Sequence, residues 1–124
     1  PGLVVGTYAT EQMRGNAIVA LDSWAAAYLG AAIALIPAGT AAEAGESGVL
    51  PEALLDNASE VLNVVSSLFN AEDAPHLKLA DVHTTASGPI PGDVASWLRG
   101  NTRRSDLLLD VAGYGQGRVS VVLA

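Results

Sequence analysis

The stretch Asp106–Leu123, DLLLDVAGYGQGRVSVVL, decides the fold. Asp106 to Val111 reads as a strand, Gly113 to Gly117 as a glycine-rich turn, and Arg118 to Leu123 as the returning strand. Val119, Val121 and Leu123 alternate along it, the spacing that puts side chains on one face of a half-buried strand. The other end of the chain repeats the device. Leu3 to Thr10, rich in Val, Tyr and Thr, reads as a strand, Glu11 to Gly15 as a polar turn, and Asn16 to Leu21 as a second strand. A further strand is expected at Leu77 to Thr85. Strands thus come in adjacent hairpins and not in strict β-α-β repeats. The expected fold class is α+β: a largely antiparallel sheet with two main helices packed on it.

Between the hairpins the periodicity changes. Asp22 and Ser23 can cap a helix from about Trp24 to Ile36, apolar nearly all round and therefore buried on most sides, with Pro37 as its stop. Trp24 and Tyr28, one turn apart on it, read as core. Ala38 to Leu50 reads as loose, with Gly45 and Gly48 breaking any helical turn. Pro51 suits the first position of the second main helix, which is expected to run to about Phe69. Asn70 to His76 reads as a polar loop, Ser87 to Gly92 as a turn and Asp93 to Leu98 as a short helix. The 124 residues are expected to form a single domain, 1–124, long enough to bury a core.

Composition narrows the function classes. Half of the residues are hydrophobic and only 15% are charged, so some apolar surface is expected to be covered by a partner or a second copy. A homodimer built by edge-strand pairing or by a helix-face contact satisfies that expectation. A net charge of −7 argues against a nucleic-acid partner and against an anionic membrane surface. Arg99, Arg103 and Arg104 lie close together but read as a solvated loop. The absence of cysteine excludes a disulfide framework, a thiolate zinc site and a cysteine nucleophile, and suits the cytoplasm. PGLVVGTYAT lacks the pattern of a signal peptide, and the start at Pro1 reads as a trimmed N-terminus. The uncharged run Ser23 to Thr40 reads as a buried helix, too short in strongly apolar residues for a membrane span.

The helix after Pro51 carries two stripes. Leu54, Ala58, Val61, Val65 and Leu68 recur at steps of four and three on one face. Asp56, Glu60, Asn63, Ser67 and Asn70 recur at the same steps on another. Glu60 and Asn63 therefore point the same way, one turn apart. The ordinary reading of such a stripe is a solvated face. Against it, Asn57, Asn63 and Asn70 are mediocre helix formers gathered in one segment, and the segment has no Lys or Arg at all. A stripe of acid and amide without cations suits a cation brought by another molecule.

The Asp56-x-x-x-Glu60-x-x-Asn63 helix resembles the signature of the CheC/CheX/FliY chemotaxis phosphatases, most closely the CheX branch, which carries one such motif. The surroundings agree: the strand and Ala-rich helix IVALDSWAAAYLGAAIAL before it, the strand LKLADV after it, and a final hairpin ending GRVSVVLA. The chain departs from the family pattern in its downstream proline, since Val82 to Thr85 lacks one and Pro89 comes later. The resemblance implies a phosphatase acting on the phospho-aspartate of a CheY-like response regulator. It implies that Asn63 holds a water in line with the phosphorus, that Glu60 pairs with the regulator's lysine, and that Asp56 supports them. No cofactor of its own is implied, because the regulator brings the magnesium ion. The alternative is a non-catalytic relative serving as an interaction or scaffold module in signalling.

Other constellations are weaker. Asp81 and His83 share one strand face and could hold a metal with His76, but Leu79 on the same face favours a partly buried histidine. Gly113 to Gly117 lacks the lysine and helix of a phosphate loop. Ser66 and Ser67 lack a nucleophile elbow.

Overall fold

The computed structural model describes residues 2–9, 15–66, 78–85, 88, 92 and 104–123. The strands are β1 (Leu3–Ala9), rich in Val, Thr and Tyr, β2 (Gly15–Asp22), β3 (Lys78–Thr84), β4 (Arg104–Val111), built on three leucines, and β5 (Gly115–Leu123), built on three valines and Leu123. They make one antiparallel sheet in the order β3-β1-β2-β5-β4. Both hairpins are present, and the α+β class with an antiparallel sheet stands. The closing turn is tighter than the sequence suggests. It occupies Ala112–Tyr114, with Gly113 at φ 82, and β5 already begins at Gly115.

Register sorts the side chains onto two faces. Val4, Tyr8, Ala17, Val19, Leu21 and Val119 join the core beneath the helices. Val5, Ile18, Ala20 and Val122 form a second buried cluster on the opposite face. Val119 and Val121 point inward as the alternation predicts. Val122, one residue out of phase with them, is just as deeply buried, so this part of β5 is covered on both sides.

Three helices lie among the described residues: α1 (Ser23–Ala34), α2 (Ala38–Ser47) and α3 (Glu52–Val65). The cap on α1 is as expected, with the Asp22 carboxylate accepting the Ala25 N–H at 2.7 Å. The helix ends at Leu35, in the left-handed region at φ 56. Its small residues Ala25, Ala26, Ala27, Gly30 and Ala31 are all buried.

The expectation that Ala38–Leu50 is loose is corrected, and α2 adds a third helix to the two expected. Gly45 does not break it; the position lies against the Trp24 indole, which an added Cβ would overlap. Ser23 Oγ, itself buried, donates to the Gly45 carbonyl at 2.6 Å. Gly45 is therefore a contact between helices, while Gly48 at φ 78 is the stop. α2 packs mainly on α1, and α3 packs on α1 and along the β1–β3 edge. Among the described residues, no helix is long and apolar enough to cross a membrane. The loop from Asn70 to His76, the turn at Ser87 to Gly92 (apart from Gly88 and Gly92) and the short helix at Asp93 to Leu98 fall outside the described residues.

Candidate functional site

The site candidate is the outer face of α3, and its geometry begins with what the helix buries. Pro51 serves as the N-cap, one position before the place expected, and Glu52 lies in the first turn, where a negative charge is favourable. Leu54, Ala58 and Leu62 are the buried residues. The sequence stripe named Val61 in place of Leu62. The structure leaves Val61 and Val65 half-buried on the flanks, while Leu68 lies outside the described residues. Three and four residues after Ala58 are equivalent steps on a helix, so the receiving surface chooses between them. That surface is Gly6 of β1, where an added Cβ would stand 3.2 Å from a Leu62 methyl.

With Leu62 inward, Asp56, Glu60 and Asn63 are all exposed. At 3.6 residues per turn, the three project within about 60° of one another. Among the described residues, nothing hydrogen bonds to or pairs with the side chain of Glu60 or of Asn63. The end of the helix is nonetheless tied down. Tyr8 Oη, fully buried in β1, donates to the Leu62 carbonyl at 2.7 Å, one residue before Asn63. Burial pushes the Tyr8 phenol well above its ordinary pKa, keeping it a neutral donor. Ser66 Oγ donates to the Asn63 carbonyl at 2.6 Å.

Asn57 proves to have a different job. Its Nδ2 donates to the Gly30 carbonyl of α1 at 3.1 Å. A Cβ on Gly30 would stand 2.7 Å from the Leu54 carbonyl oxygen, so the two helices touch almost backbone to backbone there. One of the three conspicuous asparagines is thus a clamp between helices. Asn63 is left as a solvent-facing amide, and Asn70 lies outside the described residues along with Ser67.

The other candidates separate. Asp81 and His83 do share a face of β3, exposed and half-buried respectively, but His76 lies outside the described residues. Among the described residues, no three His, Cys, Asp or Glu side chains gather as a metal site. Trp24 is half-buried and Tyr28 buried, their ring centroids 6.1 Å apart, as core residues should be. A shallow cavity of about 330 Å³ lies along β4 and β5, lined by Asp106, Leu107, Leu108, Arg118, Val119 and Ser120. It is remote from α3, which packs toward the opposite edge of the sheet.

No family model, curated protein or solved structure matches the chain.

Proposed function

We propose that this chain is a phosphatase-like signalling protein of the CheX/CheC type. It dephosphorylates the phospho-aspartate of a CheY-like response regulator, using Asn63 and Glu60. The observation that supports the reading is the pair itself: an acid and an amide, exposed, unpaired among the described residues, one turn apart on a helix locked to the core. A convex surface suits this chemistry, because the reacting phosphoryl group, the magnesium ion and the lysine all sit in the regulator's cleft. The phosphatase needs a projection that enters that cleft, and no pocket of its own.

In the reaction, a water oxygen attacks phosphorus as the bond to the aspartyl oxygen breaks. The carboxylate leaves, and the water's protons go with the inorganic phosphate. The Asn63 amide can accept from that water and donate to a phosphoryl oxygen without titrating. Glu60 meets the regulator's lysine and fixes the docking, and Asp56 extends the acidic face. Positioning of this kind is worth several kcal/mol, and a hundredfold acceleration requires only about 2.7 kcal/mol. The function places the protein in the cytoplasm with its substrate.

A second reading has its own support. Glu52, Asp56 and Glu60 line one side of α3 with no cation on the helix, which favours docking to a basic partner whether or not Asn63 acts. The protein is then a non-catalytic interaction or scaffold module. The two are separated by supplying response regulators of the same genome with acetyl phosphate and measuring phosphate release with the wild type and with Asn63→Ala. A regulator whose turnover rises only with the wild type supports the phosphatase. Equal rates across all regulators end the catalytic reading, and binding without acceleration then favours the module.

A further inference from the structure

We propose that the cavity along β4 and β5 binds a small organic carboxylate with an apolar body, its anionic head held by Arg118 and its chain lying on Leu108. The antiparallel register sets Asp106 opposite Ser120 and Leu108 opposite Arg118. Alternation puts these four side chains on the sheet face turned away from the helices. Leu107 and Val119, between them, point to the helix side and offer this face only backbone. A volume of about 330 Å³ is at the small end of the range for ligand sites, so the occupant is a small molecule and not a folded partner.

Charge selects the head of the ligand. The Asp106 carboxylate is already engaged: it accepts from Arg104 Nε at 3.1 Å and Nη2 at 2.9 Å, and from Ser120 Oγ at 2.6 Å. Asp110, the next carboxylate on this face, stands opposite Gln116 and outside the cavity lining. The chain has 13 Asp and Glu to 6 Lys and Arg, so a carboxylate partner is easily found. Yet among the described residues nothing hydrogen bonds to or pairs with the Arg118 side chain. Arg118 therefore brings an unspent guanidinium to the cavity, and its planar fork matches a carboxylate in two parallel bonds.

Apolar surface selects the body. Leu108, directly across the ladder from Arg118, is 64% exposed, a large hydrophobic side chain left in water beside an unpaired cation. An alkyl chain whose carboxylate sits on Arg118 reaches Leu108 and removes both apolar surfaces from water. A short acid lacks that second contact, and an alkyl cation is repelled by the first.

The test is a titration of the isotope-labelled full chain with octanoate, followed by nuclear magnetic resonance through the amide signals of β4 and β5. Saturable shifts centred on Leu107, Leu108, Arg118 and Val119 are expected, with half-saturation at about 1 mM or below. Acetate, which lacks the body, and octylammonium, which reverses the charge of the head, are each expected to bind at least about tenfold more weakly. Arg118→Gln is expected to weaken octanoate about tenfold and Leu108→Thr about threefold. Both positions are exposed, and circular dichroism confirms the fold of each variant. Octanoate without saturable shifts on β4 and β5, octylammonium binding as tightly as octanoate, or either variant binding octanoate like the wild type overturns the proposal.

Discussion

α1 and α3 lie against each other and are of similar length, yet they are used in opposite ways. α1 has no charged residue and is buried over most of its surface by the sheet, α2 and α3. α3 buries a narrow stripe of Leu54, Ala58 and Leu62 and leaves the rest to solvent. The first helix is where the fold is held, and the second presents the face on which the proposed partner would dock. They are coupled at Gly30, where the smallest side chain lets the inner helix support the outer one at close range.

The largest expected effect comes from separating them. Gly30→Val drives a side chain into the α3 backbone and should cost about 3 kcal/mol, read as a lowered thermal midpoint. Any activity assigned to α3 should fall with it, since the face is displaced. A Gly30→Val protein as stable as the wild type breaks the claim that close approach couples the helices.

Tyr8→Phe is next. It leaves the Leu62 carbonyl short of a buried donor and should cost about 1–2 kcal/mol. It carries a pH signature as well. The phenol is raised in the folded state, so its stabilisation is fully present below the ordinary tyrosine pKa of 10.0. Above that, the unfolded chain ionises first and stability declines toward the folded value. Denaturant melts from pH 9 to 11 should show this decline in the wild type and a shallower one in Tyr8→Phe.

The smallest effect is expected at Asp106. Its carboxyl is held below the usual range, first by the Arg104 hydrogen bond and then by that of Ser120. Its contribution is present above the ordinary carboxylate pKa and fades as pH falls through the lowered value. Because the pair is exposed, Asp106→Asn should barely move the thermal midpoint at neutral pH. A clear drop would give the β4 edge a share in holding the fold, and blur the contrast drawn for α1.

The two-stripe character of α3 was legible in the residues, because a polar and an apolar set at helical steps leave few other readings. Both hairpins and the Asp22 cap were legible for the same local reasons. What sequence could not supply was the surface each residue meets. Gly45 reads as a breaker until the Trp24 indole is seen against it. Val61 and Leu62 are equal candidates until Gly6 receives one of them. Asn57 and Asn63 look alike in the chain, and only the Gly30 carbonyl separates a clamp from a free amide. Tyr8 gave no sign that its hydroxyl would hold the turn bearing Asn63, since its partner is a backbone oxygen 54 residues away.

The central claim is that the exposed face of α3 acts on a phosphorylated partner while contributing little to the fold. The most direct measurement is the decay rate of a phosphorylated regulator with Asn63→Ala, set beside that variant's thermal midpoint. The account predicts a stability, read from that midpoint, within about 0.5 kcal/mol of the wild type, and decay no faster than the regulator's own. Decay as fast with Asn63→Ala as with the wild type would contradict it.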